Sequence, residues 1–86
     1  MAGGTLTLYS RAGCHLCEDM KAVVEPVAQE LGWAIEAVDI SGDPALEAEF
    51  GMEIPVLFVN GRKAFKYRVD ARELRRRLRR ERSPAS

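Results

Sequence analysis

Cys14 and Cys17 are the only two cysteines of the chain, and His15 and Leu16 separate them. They follow a strand-like segment and stand at the start of a helical pattern. A helix N-terminus carries a partial positive charge and unpaired backbone N–H groups, both of which stabilise a thiolate. The thiolate is the form of cysteine that attacks a disulfide, and a thiol one helical turn later can displace the mixed disulfide. The spacing therefore predicts thiol–disulfide chemistry, with Cys14 as the nucleophile and Cys17 as the resolving thiol.

His15 is the titratable residue next to the predicted nucleophile. A protonated imidazole there stabilises the thiolate and makes the pair more oxidising, by about 30 mV per 1.4 kcal/mol. The alternative is an exposed histidine of the first helical turn that has little influence on the thiols. The residue type alone leaves both interpretations open, so His15 is a candidate for tuning the reduction potential.

Cys14, His15 and Cys17 also raise the question of a metal site. They supply at most three ligands, and adjacent residues of a helix do not face the same way, whereas structural zinc takes four ligands. We therefore expect no metal site and no bound cofactor. The alternative from a different class of protein is a dithiol carrier that shares a metal or an iron–sulfur cluster between two copies.

Length and composition indicate how many domains the chain forms and where in the cell it works. Eighty-six residues predict one small domain; we expect it to span residues 1–82, with a disordered tail over residues 83–86. No apolar run approaches the roughly 20 residues of a membrane span, and residues 1–4 lack the pattern of a secretory signal. We expect a monomeric cytoplasmic protein, in which a cysteine pair is more often catalytic or metal-binding than structural.

The charge of the chain is divided between two parts. Residues 1–61 contain two basic and ten acidic residues, a net charge of −8, whereas residues 62–86 contain eleven basic and three acidic ones, a net charge of +8. Residues 72–82 carry most of this positive charge. They lack the aromatic side chains that binders of single-stranded nucleic acid use, and Leu74 and Leu78 give them an apolar stripe. We expect the solvated face of a packed helix and no nucleic acid; a non-catalytic interaction domain is the alternative.

Seven elements must position these residues. Alternating or continuous apolar residues predict strands, apolar residues three and four apart predict helices, and Asn60-Gly61 predicts a tight hairpin turn. Predicted strands cover residues 5–9, 33–40, 55–59 and 63–68, and predicted helices cover residues 14–31, residues 44–50 and a segment after Asp70. The order β-α-β-α-β-β-α predicts an α/β fold with a four-stranded mixed sheet, three helices on its two faces, and a parallel first pair of strands.

Several motifs occur together in a familiar order. They are Leu8-Tyr9-Ser10-Arg11, the cysteine pair, Val38-Asp39-Ile40 and Ile54-Pro55-Val56-Leu57. Their order and spacing resemble the thioredoxin superfamily, and more narrowly the small glutaredoxin-like proteins of prokaryotes that carry Cys-His-Leu-Cys. The resemblance covers residues 5 to about 80 and implies a thioredoxin-like fold.

The resemblance implies roles for individual residues. Cys14 and Cys17 correspond to the redox pair, and Pro55 to a cis-proline beside it, which turns the backbone of Ile54 toward the substrate. Arg11 corresponds to the basic residue that binds a carboxylate of glutathione. The implied activity is the reduction of disulfides in proteins or small molecules. Glutathione or a thioredoxin reductase then serves as the external reductant.

The chain departs from typical glutaredoxins at three places. His15-Leu16 stands where they carry Pro-Tyr, and Glu53 stands where they carry Thr before the proline motif. Tyr67 and Arg68 replace a pair of glycines that holds the γ-glutamyl end of glutathione. Because side chains crowd a close backbone approach, these replacements argue against specific use of glutathione.

Overall fold

The computed structural model describes residues 3–82, so the predicted tail at residues 83–86 lies outside the described residues. The strands are β1 (Thr5–Ser10), β2 (Ala34–Asp39), β3 (Val56–Val59) and β4 (Arg62–Lys66), and the helices are α1 (His15–Leu31), α2 (Pro44–Phe50) and α3 (Ala71–Arg82). The predicted order of elements is confirmed. The ends differ by one or two residues, which is the usual uncertainty of helix and strand boundaries.

The four strands form one mixed sheet in the order β2-β1-β3-β4. β1 and β2 are parallel, with Ser10 opposite Asp39 at their C-terminal ends. β1 and β3 are antiparallel, with Tyr9 opposite Val56. The loops after β1 and before β3 therefore meet at one edge of the sheet, and this edge carries the cysteines.

The helix ends follow from local capping chemistry. Gly32 closes α1 in the left-handed conformation, with φ of 74°, which glycine adopts at little cost. The Asp43 carboxylate accepts hydrogen bonds from the first N–H groups of α2, and Pro44 stands at the first helical position. The Asp70 carboxylate caps α3 in the same way, by accepting from the N–H groups of Arg72 and Glu73.

Alternating side chains of the strands fill two apolar clusters, one on each face of the sheet. The first cluster joins β1 and β3 to α1 and α3; its members include Leu6, Leu8, Met20, Val24, Leu57, Leu74 and Leu78. The second joins the opposite face to α2 and contains Ile40, Phe50 and Val56, with Tyr9 and Phe58 packed against them. The ring centroids of Tyr9 and Phe50 are 4.5 Å apart. Helices on both faces are thus confirmed.

The hairpin of β3 and β4 turns at Asn60 and Gly61, with φ values of 50° and 85°, as the sequence predicts. The predicted end of β4 at residue 68 is wrong. The strand stops at Lys66 because Tyr67 takes a left-handed φ of 73° and donates its N–H to the Pro55 carbonyl at 2.8 Å. This turn brings Tyr67 to the edge of the sheet that carries the cysteines.

Candidate functional site

Cys14 is the N-cap of α1 rather than its first residue. Its Sγ accepts a hydrogen bond from the backbone N–H of Cys17 at 3.1 Å, and its carbonyl accepts the N–H of Glu18 at 3.2 Å. The cap therefore directs an otherwise unpaired helix N–H at the sulfur of Cys14. An anionic sulfur at this position gains from the hydrogen bond and from the helix dipole.

The two cysteines form a disulfide, with their Cα atoms 5.2 Å apart. Their access to solvent is unequal, since Cys17 is 4% exposed and Cys14 is only half-buried. A reagent approaching from solvent meets the sulfur of Cys14 first. This difference suits one nucleophilic and one resolving thiol.

His15 extends into solvent, with 91% of its side chain exposed. Its Nε2 lies 3.7 Å from a carboxylate oxygen of Asp19, one turn further along α1. The ring thus has a local acidic partner, and its exposure fits the interpretation of a first-turn surface histidine. Control of the reduction potential by His15 stays a prediction.

Arg11 lies in the loop between β1 and the cysteines and pairs with Glu47 of α2. Both side chains are 39% exposed. Nearby, the backbone N–H and the hydroxyl of Ser41 lower the pKa of Asp39, and the positive charge of Arg11 acts in the same direction. The sequence predicts that Arg11 binds a substrate carboxylate, but in the structure such a carboxylate has to compete with Glu47.

Ile54 and Pro55 precede β3 at the same edge of the sheet as the cysteine loop, and their peptide bond is cis. The N–H of Ile54 donates to the Phe50 carbonyl at 3.1 Å. Among the described residues, no N–H pairs with the carbonyl of Ile54. The carbonyl is therefore the part of the Ile54 backbone that remains for a substrate to contact.

Three large apolar side chains are exposed in the described part of the chain: Leu16, Met52 and Tyr67, which are 41%, 90% and 42% exposed. Leu16 and Tyr67 line one groove, and the Tyr67 hydroxyl donates to the Met52 carbonyl at 3.1 Å, so the three residues are neighbours. We call these three residues the apolar rim. The sequence analysis does not predict this patch. The available signals were Leu16, an apolar residue between the cysteines, and Met52, an apolar residue in the loop before Pro55.

Two depressions flank the first turns of α1. A groove of about 330 Å³ separates α1 from the segment after β4, and its lining includes Leu16, Tyr67 and Arg68. A cavity of about 410 Å³ lies on the other side of α1, and its lining includes Cys17 and Asp39. The groove borders Leu16 and Tyr67 of the apolar rim, whereas charged residues make up much of the lining of the cavity.

Residues 3–82 contain neither a cluster of metal-ligating side chains nor a membrane-spanning helix. Within this range, no three histidine, cysteine or acidic side chains come together as a possible metal site. No helix in the same range is long and apolar enough to cross a membrane.

Comparison with known proteins agrees with this geometry. A family model described as a glutaredoxin-like domain (DUF836) matches residues 5–79. An uncharacterized protein of Mycobacterium tuberculosis is 32% identical over 80 residues, which cover 87% of this chain and 82% of the relative. The structural-genomics target protein XcR50 from X. campestris is 38% identical, with a TM-score of 0.72 over 87% of this chain and 96% of that one.

A thioredoxin variant from Halobacterium salinarum has the same fold, with a TM-score of 0.68, 22% identity, and coverage of 95% of this chain and 77% of its own. The expected thioredoxin-like fold is therefore confirmed.

Proposed function

Because the chain belongs to the glutaredoxin-like domain (DUF836) family, we propose that it is a dithiol thiol–disulfide oxidoreductase. Cys14 is the nucleophile and Cys17 the resolving thiol. The observation that carries the proposal is the half-buried Cys14, whose Sγ caps α1 and accepts the N–H of Cys17 at 3.1 Å, while Cys17 itself is 4% exposed. A sulfur in this position is favoured as a thiolate, the reactive form.

The reaction proceeds by two exchanges at sulfur. The Cys14 thiolate attacks one sulfur of the substrate disulfide, the substrate S–S bond breaks, and the other sulfur leaves as a thiolate that takes a proton from solvent. Cys17 then loses its proton and attacks the Sγ of Cys14, which releases the second substrate thiolate. Two electrons pass from the dithiol to the substrate, and Cys14 and Cys17 are left as a disulfide.

An external reductant closes the cycle. Two molecules of a thiol such as glutathione, or a reductase of the thioredoxin-reductase type, return two electrons to the disulfide, and the chain itself needs no bound cofactor. This cycle suits a monomer in the cytoplasm, where thiol-reducing systems are maintained. In this role the protein contributes to electron transport and to redox homeostasis.

The apolar rim supports a protein disulfide as substrate rather than glutathione alone. Leu16, Met52 and Tyr67 offer apolar surface beside the sulfurs, and exposed apolar patches mark sites of protein contact. Arg11, in contrast, is engaged with Glu47, so a small anionic substrate finds no free cation at that position.

A trapping experiment tests the assigned roles. The protein is reduced and mixed with a peptide that contains one disulfide, and the products are identified by mass spectrometry. The Cys17→Ser variant should accumulate a mixed disulfide at Cys14 because the resolving thiol is missing. The Cys14→Ser variant should not, because Cys17 is buried. Equal trapping in both variants would contradict the assignment.

A second measurement identifies the electron donor. Equilibration in glutathione buffers gives the reduction potential of the pair, and turnover is then compared with glutathione and with thioredoxin reductase as the reductant. We expect faster turnover with the reductase, because Tyr67 and Arg68 occupy the turn at which glutaredoxins hold glutathione. Faster turnover with glutathione would place the protein with the glutathione-dependent enzymes.

A further inference from the structure

Five lysine and arginine side chains of the described residues form ion pairs with carboxylates. Arg75 of α3 bonds to Glu30 of α1 at 3.1 Å, and Arg77 bonds to Glu81 within α3 at 3.1 Å. The other pairs are Arg11 with Glu47, Lys21 with Glu25, and Lys63 with Glu53. These pairs neutralise the basic charge locally at five positions.

Four arginines of α3 are different. Arg72, Arg76, Arg79 and Arg80 are exposed, and no carboxylate of residues 3–82 lies within ion-pair distance of them. Their spacing of four, three and one residues places them on a stripe about 100° wide, because successive residues of an α-helix are rotated by about 100°. We call these four residues the arginine row.

The arginine row stands on a firmly held element. Leu74 and Leu78, on the opposite side of α3, are 0% exposed in the main apolar cluster. The Asp70 cap fixes the start of the helix, and the bond from Arg75 to Glu30 ties it to α1. The backbone that carries these charges is already ordered, so binding a partner restricts only the arginine side chains.

The arginine row lies beyond the groove that starts at the cysteine site, because the bond from Arg75 to Glu30 sets α3 beside the last turn of α1. Arg68, which is exposed and lies three residues before the start of α3, lines the groove that also contains Leu16 and Tyr67. The row then extends from Arg72 to Arg80, a distance of about 12 Å along the helix axis. A partner segment that leaves the groove at Arg68 therefore meets the row about 20 Å from the cysteines, measured along α1.

We propose that the arginine row docks an acidic segment of the protein whose disulfide the cysteine pair exchanges. This proposal rests on the proposed function and adds the class of partner. Guanidinium groups match carboxylates in charge and in planar geometry, and about four residues of extended chain span the row. The apolar rim meets the segment around the partner's cysteine, and the row attracts its acidic flank, which raises the rate of encounter.

A protein partner fits these observations better than a nucleic acid. Residues 71–82 contain no aromatic side chain on which a base can stack. In addition, the row leads to an apolar groove of about 330 Å³, which suits apolar side chains of a peptide. Binding of a nucleic acid is therefore an outcome for the test to exclude.

The test uses two synthetic peptides that contain the same single disulfide and the same apolar flank. One carries a tract of about six glutamates and the other a tract of about six glutamines, a length that exceeds the span of the row. Binding to the full chain with Cys14→Ser and Cys17→Ser is measured by fluorescence anisotropy, without redox chemistry. Reduction of both peptides by the protein with both cysteines is measured separately as kcat/KM.

The matched variants are Arg76→Glu in the arginine row and Arg62→Glu on β4, which change the charge equally at two exposed positions. We expect the glutamate peptide to bind about tenfold more tightly than the glutamine peptide at low salt, and less so at high salt. Arg76→Glu should weaken this binding about fivefold, and Arg62→Glu less than about twofold. The kcat/KM for the glutamate peptide should follow the same order.

Three results would overturn the proposal: equal binding of the two peptides, an equal loss in both variants, or tighter binding of single-stranded RNA that Arg76→Glu abolishes. Reduction of the glutamine peptide reports the chemistry independently of the row. If that reduction is absent while the glutamate peptide still binds selectively, the proposed function fails and the docking surface stands.

Discussion

Arg11 and Glu47 form an ion pair that joins the cysteine loop to α2, although 35 residues separate them along the chain. The pair holds the guanidinium of Arg11 beside the site, and it neutralises the charge that an anionic substrate needs. The contact thus acts against small acidic substrates without any change at the sulfurs.

Removal of the Glu47 charge should make Arg11 available. We expect Glu47→Gln to raise kcat/KM for glutathione disulfide about threefold, because a free guanidinium attracts the substrate carboxylates. The same variant should leave kcat/KM for an uncharged disulfide unchanged. Glu49→Gln is the matched control, because Glu49 is an exposed glutamate of the same helix. An equal rise in both variants would mean that Arg11 is not involved.

The ion pair between Glu53 and Lys63, with Oε1 and Nζ 2.7 Å apart, leads to a prediction about pH. The hydrogen bond from Lys63 lowers the pKa of Glu53 below the ordinary value of a glutamate. A carboxyl whose pKa is lower in the folded state stabilises the fold above its unfolded pKa, and this contribution is lost as the pH falls through the folded pKa.

Glu53→Gln should therefore lower the urea midpoint at about pH 7 and have less effect at about pH 3, because the wild-type carboxyl gains protons as the pH falls through its folded pKa. The control is Glu36→Gln, which removes an exposed carboxylate of β2. If the two variants differ from the wild type by the same amount at both pH values, the contact with Lys63 does not stabilise the fold.

At the scale of elements, the caps explain where the helices begin. Asp70 is exposed, yet its carboxylate accepts two N–H groups at the start of α3. Asp70→Ala should cost about 1 kcal/mol of stability, because these N–H groups lose their partner. Chemical denaturation measures the loss. Asp70→Asn, which keeps an accepting oxygen, should lose much less; a similar loss in both variants would assign the effect to charge instead.

The elements that the sequence predicts correctly are those specified by neighbouring residues. Asn60-Gly61 sets its own turn, and Gly32 ends α1 through its left-handed backbone. The end of β4 is predicted wrongly because Tyr67 is held by the Pro55 carbonyl, twelve residues away. The pairing of Arg11 with Glu47 was missed for the same reason: it depends on how α2 packs, and no local pattern reports it.

At the scale of the whole molecule, the two apolar clusters share the strands of one sheet. Leu57 faces the first cluster and Val56 the second, so neither cluster can be lost without disturbing β3. We expect a single cooperative transition, as is usual for a small domain. Tertiary and secondary structure should then be lost together.

Trp33 allows this expectation to be measured. It is the only tryptophan, it is 6% exposed, and it belongs to the first cluster. Its fluorescence in urea should follow the same curve as far-UV circular dichroism. Separate midpoints for the two signals would show that the sheet and its helices unfold in steps. Phe50→Ala, in the second cluster, should shift both curves equally.

The position of Trp33 has a practical consequence. It immediately precedes β2, where Ala34 pairs with Thr5, whereas the cysteines follow the far end of β1. About 16 Å of strand separates those ends, so we expect the indole to be insensitive to the redox state of the cysteines. A stopped-flow test of the proposed thiol–disulfide exchange therefore needs a dye on the substrate, because we expect tryptophan fluorescence to be unchanged by the reaction at the cysteines.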